Sequence, residues 1–161
     1  MNDLMTPILE LQRMAHDLMY LGADDAPIYS DDFTRLNKSV QTQSDALYSC
    51  KGRTVEEEAN LCLALLMGYN ATIYDDGRKD KKKQSVLDRS WEVLSELAPS
   101  LLKVRLLTYC YAEVYEEDLI QEARAIIHTW KKEELTLEQI EIIEELNNIE
   151  ENQYPFEVLE E

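Results

Sequence analysis

From Leu61 to Ala71 the chain reads LCLALLMGYNA, a run that is apolar on nearly every side of any regular backbone. Just upstream, Thr54 and Glu57 have the spacing of a capping box, in which hydroxyl and carboxylate each satisfy a free backbone N–H of the first turn. That start, with about twenty residues to Tyr74, selects a helix over a strand. A helix apolar all round needs other elements to enclose it, so this one is expected at the centre with the rest of the chain around it.

The rest of the chain supplies helices of the right kind. Thr6 and Pro7 mark a start, after which Ile8, Leu11, Ala15 and Leu18 recur at three- and four-residue steps until Gly22. Ser30 is a second cap, with Asp31 and Asp32 at the positive end of the helix dipole and Phe33, Leu36, Val40 and Leu47 on one face. DDGRKDKKK, residues 75–83, is predicted to be a loop. Val86, Leu87, Ser90, Trp91, Leu94 and Leu97 then share a stripe that Pro99 stops. Ser100 caps a helix carrying Leu101, Val104, Leu107, Cys110 or Tyr111, and Val114. EEDLIQEARAIIHTW places Leu119, Ala123, Ile126, Ile127 and Trp130 inward. Thr136 and Gln139 form another capping box, followed by an apolar series of Ile140, Ile143, Leu146 and Ile149. The tail 152–161, NQYPFEVLEE, has no helical pattern and is expected to fray or to pack locally through Tyr154 and Phe156.

The expected fold class is therefore all-α: one domain over residues 1–161, built as a bundle or array of about seven helices. Four glycines and four prolines are too few for the many tight turns of a sandwich or barrel. No fixed repeat period of a solenoid is present. Cys50, Cys62 and Cys110 are odd in number and widely spaced, which fits a reducing, cytoplasmic setting better than disulfides or zinc. The N-terminus lacks the basic and apolar regions of a secretory leader, and no stretch approaches eighteen apolar residues, so neither secretion nor membrane insertion is expected.

Charge is distributed unevenly. The chain carries 33 acids against 16 Lys and Arg, a net −17. From Glu113 to Glu161, sixteen carboxylates face only Arg124, Lys131 and Lys132, so thirteen of the seventeen net charges lie there. Such a field repels nucleic acid and anionic membrane and attracts a basic protein partner. Glu134, Glu138, Glu141 and Glu145 follow one another at steps of four, three and four, which predicts a row on the last helix. That row is either a solvated face or a docking ridge for Lys and Arg of a partner, where binding would relieve the repulsion.

Other clusters are weaker pointers. Arg78, Lys79, Lys81, Lys82 and Lys83 form one basic run that must act against the whole acidic field, so direct nucleic-acid binding is not expected. Tyr109, Tyr111 and Tyr115 fall within two turns; Tyr111 and Tyr115 share a face that is either core rim or a partner-binding hot spot. His16 and His128 stand apart, outside any metal-binding spacing. No nucleophile elbow, phosphate loop, dinucleotide fingerprint or deaminase signature is present, so no enzyme, metal or cofactor is expected.

The runs LGADDAPIYSDDFTRLNKSV, EEEANLCLALLMGYNATIYDDG and VLDRSWEVLSELAPSLLKVRLLTYCYAEVYEEDLIQEA resemble, in order and spacing, the UpxZ family of transcription antitermination antagonists, from about Met14 to Glu151. The resemblance lies in packing and capping segments rather than in chemical signatures. It implies a cytoplasmic bacterial regulator of capsular polysaccharide operons, one that antagonises NusG-like antiterminators of the UpxY type. A helical adaptor that takes an apolar partner helix near Tyr109–Tyr115 is the alternative. Nothing in the sequence bears on oligomeric state.

Overall fold

Seven α-helices and one short 3-10 turn form, with no strand among the described residues: α1 Met5–Met19, α2 Ser30–Tyr48, α3 Val55–Ala71, α4 Lys79–Leu94, α5 Leu101–Val114, α6 Glu117–Ile127, the turn Lys132–Glu134, and α7 Leu137–Glu151. The computed structural model describes residues 3–21, 30–73 and 77–151; Gly22, Tyr74 and the tail at 152–161, with Tyr154 and Phe156, lie outside them. The fold class is all-α, as expected. The helices group into two compact units, Met1–Leu97 and Ala98–Glu161.

In the first unit α3 is the centre, and α1, α2 and α4 each pack against it. From Leu61 to Met67 no residue is more than 1 % exposed. Each leucine buried there contributes roughly 1.5–3 kcal/mol relative to an exposed one. The start of α3 is capped where predicted: Glu57 N–H donates to Thr54 Oγ1 at 3.0 Å. The Glu57 carboxylate reaches one residue further upstream and accepts from Arg53 N–H at 2.9 Å. Near its other end α3 comes very close to α2, because a Cβ on Gly68 would lie 2.1 Å from Ser44 Oγ.

Two helix starts differ from expectation. At α1 the capping acceptor is Asp3, which takes Met5 N–H at 3.1 Å and the Thr6 hydroxyl. A carboxylate is the stronger acceptor, so the helix begins at Met5 and Pro7 falls in the first turn, where its missing N–H costs nothing. The predicted loop 75–83 is helical from Lys79 onward. Lysines are poorly placed at the positive end of a helix dipole, but tertiary partners offset this. Lys79 Nζ donates to Thr72 O at 2.6 Å, just beyond the end of α3. Lys82 Nζ pairs with Asp45 at 2.9 Å and lies 5.6 and 5.9 Å from the ring centres of Tyr48 and Tyr69.

The link between α2 and α3 is held from α4. Arg89 donates through Nε to Glu58 Oε2 and through Nη2 to Glu58 Oε1, both at 2.9 Å. The same guanidinium donates to Tyr48 O at 3.2 Å and Cys50 O at 2.8 Å. Glu58 Oε1 also accepts Gly52 N–H at 2.8 Å. Burial pushes the Glu58 carboxyl up, yet the bonds from Arg89 and Gly52 outweigh it and hold the group below the usual carboxylate range.

In the second unit α5 packs against both α6 and α7. Ser100 caps α5 as predicted, accepting Lys103 N–H at 3.1 Å. Val104, Leu106, Leu107 and Cys110 are at most 1 % exposed. Lys103 Nζ pairs with Glu122 of α6 at 2.6 Å. Arg124 of α6 donates to Asn147 at 3.0 Å and Glu150 at 2.6 Å on α7. The capping box at α7 is reciprocal: Thr136 N–H donates to Gln139 Oε1 at 2.8 Å and Gln139 N–H to Thr136 Oγ1 at 3.1 Å.

Candidate functional site

That reciprocal cap also decides the length of the acidic row. Because α7 begins at Leu137, Glu134 precedes the cap and belongs to the short 3-10 turn, where it is exposed. The expected row of four on one helix is therefore three: Glu138, exposed, with Glu141 and Glu145 half-buried. Glu145 is engaged from within its own unit, accepting the Tyr109 hydroxyl at 3.2 Å. Glu133 and Glu144, also exposed, add charge around the start and outward side of α7, and α7 itself contains no Lys or Arg.

The apolar series on α7 is out of phase with the prediction. Ile142 at 3 % and Leu146 at 0 % exposure face inward, whereas Ile140 is 39 % exposed and Leu137 is 85 % exposed. A helix resting on α5 buries a narrow stripe, and Ile140 lies two residues, about 200° around the helix, from Ile142. Leu137, Ile140, Glu141 and Glu144 instead share the outward side at three- and four-residue steps. The sequence does contain the signal: six apolar positions on α7 exceed what one neighbouring helix covers.

The tyrosines separate sharply. Tyr111 is 1 % exposed and Tyr109 is 6 % exposed, so both are core residues, and of the two readings of Tyr111 its burial favours core packing over a partner-binding ring. The register of α5 turns that face toward its neighbours. Tyr115 is 47 % exposed and stacks edge-on against Tyr111 at 5.5 Å. Its backbone is left-handed, φ 54°, while its N–H donates to Tyr111 O at 2.8 Å to close α5. Glycine is the usual residue in that conformation, and a side chain there costs roughly 1–2 kcal/mol.

The remaining candidates are either tied into the fold or, like Arg78, Lys81 and His128, exposed. Lys79 and Lys82 of the basic run are tied to Thr72 and Asp45 as described. His16 stacks on Tyr20 at 4.6 Å, and His128 follows the last turn of α6. Burial first, then the nearby Glu58 charge, pushes the Cys62 thiol up to about 12, which makes it an inert core group. A surface cleft of about 390 Å³ between Gly52, Glu58, Arg89 and Glu92 has its central charges already paired with each other. Among the described residues no three His, Cys, Asp or Glu are placed to hold a metal ion, and no helix is long and apolar enough to cross a membrane.

Comparison with curated proteins finds no match. Among solved structures, the chain is similar to a transcription anti-terminator antagonist UpxZ from Bacteroides uniformis ATCC 8492, with 60% identity, a TM-score of 0.90 and 97% of each chain covered. The model of the UpxZ family of transcription anti-terminator antagonists matches residues 8–112, from α1 through most of α5, ending just before the acidic segment opens at Glu113. With that match spanning more than half the chain, the protein belongs to the UpxZ family of transcription anti-terminator antagonists.

Proposed function

We propose that this chain acts in the bacterial cytoplasm as a non-enzymatic antagonist of NusG-like antiterminators of the UpxY type, and that it represses other capsular polysaccharide operons by direct contact with them. The observation that carries this is the 60% identity, over 97% of each chain, to a solved anti-terminator antagonist. A factor that works beside nucleic acid presents basic surface, and an acidic helical protein complements it. The contact is assigned to Glu138, Glu141 and Glu145 on α7, with Glu134 before the helix and Tyr115 at the end of α5. The net −13 of residues 113–161 supports this assignment and argues against direct binding to nucleic acid or to anionic membrane.

The test is a titration of the purified chain with NusG-like antiterminators from non-matching loci at low salt, paired with read-through measurements in cells. Binding that weakens steeply with ionic strength, as a Debye length of about 8 Å at physiological salt requires, is the expected result. No binding together with unchanged read-through refutes the reading. Glu138→Lys, Glu141→Lys and Glu145→Lys combined should abolish antagonism while the helical signal persists. A folded triple variant that still antagonises would show the row to be solvated surface.

A further inference from the structure

Leu137 and Ile140 set a second condition on the partner, beyond its charge. Leu137 is 85 % exposed at the first position of α7, and Ile140, one turn on, is 39 % exposed. Around them stand Glu133, Glu134, Glu138 and Glu144, all exposed, with Glu141 beside them on the same side of the helix. The nearest cations in sequence, Lys131 and Lys132, lie before the cap and off the helix. Apolar residues at the middle of a polar, charged rim are the arrangement of a protein interface, in which the centre supplies residence time and the rim excludes water and steers approach.

We infer that the outward face of α7 is a docking surface for a cationic amphipathic protein segment, one whose apolar side chains cover Leu137 and Ile140 while its Lys and Arg meet the surrounding carboxylates. Charge selects this occupant over the others an apolar patch might take. A second copy of the chain would bring one net −13 segment against another, and nucleic acid or anionic lipid would meet the same repulsion. The inference rests on the protein-contact reading above and specifies the chemistry of the partner's contacting segment.

The two parts of the surface act on different rate constants. Rim charges govern encounter, while the buried centre governs dissociation. The probe is a synthetic amphipathic helix built from Lys-Leu-Leu-Lys blocks, with a leucine-free lysine peptide of equal charge as control, each titrated against the full chain. The amphipathic peptide should bind and the lysine peptide should bind far more weakly. Leu137→Gln with Ile140→Gln should speed dissociation of the amphipathic peptide about tenfold, with association changed less than about twofold. Glu138→Lys with Glu144→Lys should instead slow association and flatten its salt dependence. Since these side chains are exposed, the variants should keep the wild-type helical signal, with a small drop in melting point only where Lys replaces Glu138 in the first turn of α7. Failure of the amphipathic peptide to bind, or equal dissociation from wild type and the Leu137/Ile140 variant, overturns the inference. Titration of the wild-type chain with NusG-like antiterminators decides the proposed function separately: if none binds while the peptide result holds, that function falls and the docking surface stands.

Discussion

Gly68 and Ser44 offer a sharp check on the packing of α2 against α3. A Cβ at residue 68 would sit 2.1 Å from Ser44 Oγ but 3.4 Å from Ser44 Cβ and 3.5 Å from Leu11 Cδ1, so a single hydroxyl carries nearly all of the conflict. That hydroxyl is fully buried and has no hydrogen-bond partner among the described residues. Gly68→Ala alone sets an overpacking cost of about 1–3 kcal/mol against a helix-propensity gain of about 0.8–1.0 kcal/mol, for a net loss near 1 kcal/mol. Ser44→Ala alone should be nearly neutral, because it removes a buried group that satisfies no bond. In the Ser44→Ala background the clash is gone and the propensity gain remains, so Gly68→Ala should stabilise by about 1 kcal/mol, a coupling of about 2 kcal/mol between the two sites. Urea unfolding in a Trp130→Phe background reads this out, since Trp91 of α4 is then the sole tryptophan and reports on Met1–Leu97. If Gly68→Ala costs the same in both backgrounds to within about 0.5 kcal/mol, the close approach is not what demands glycine there.

Arg89→Met keeps the aliphatic stem and removes all four bonds to Glu58, Tyr48 O and Cys50 O; with side chains 16% and 20% exposed, the pair falls at the low end of the buried range, so a loss of about 3 kcal/mol is expected. Adding Glu58→Gln should cost markedly less than the sum of the single losses, which a urea double-mutant cycle measures. The pH response follows from the depressed Glu58 carboxyl: its contribution is fully present above the ordinary value of 4.5 and is lost as pH falls through the lower folded value. Stability of Met1–Leu97 should therefore decline on acidification below about pH 4.5, less steeply in Glu58→Gln, as acid titrations of Trp91 fluorescence would record. A thiol reagent at about pH 8 should modify half-buried Cys50 first, with buried Cys62 and Cys110 reacting only in denaturant, as counted by mass.

Much of the helix inventory was legible because caps and apolar spacing are local signals. Thr54, Ser100 and Thr136 cap where expected, and Leu61–Met67 is buried on every side because no face of that run offers water a polar group. The helical start at Lys79 was not legible, since it depends on Thr72 and Asp45, seven and thirty-seven residues away from the lysines they receive. The Arg89 latch was hidden for the same reason: its partners lie 31 to 41 residues upstream. In the candidate site the acidic excess was plain in composition. Its layout was not, because Tyr111 and Ile140 are both apolar-patterned and only the packing of α5 and α7 decides which one water reaches.

By itself the sequence determined the fold class, the central place of α3, the main helix boundaries and the acidic sign of the chain's own field, because each follows from local hydrogen-bonding geometry, from apolar periodicity or from net charge. Tertiary structure alone decided that Tyr111 is sealed while Tyr115 is presented. It also decided that Leu137 and Ile140 are left uncovered in an acidic rim. Exposure depends on which neighbour comes to rest against a helix, and that is set by contacts between residues far apart in the chain rather than by the run of residues in which a side chain is found.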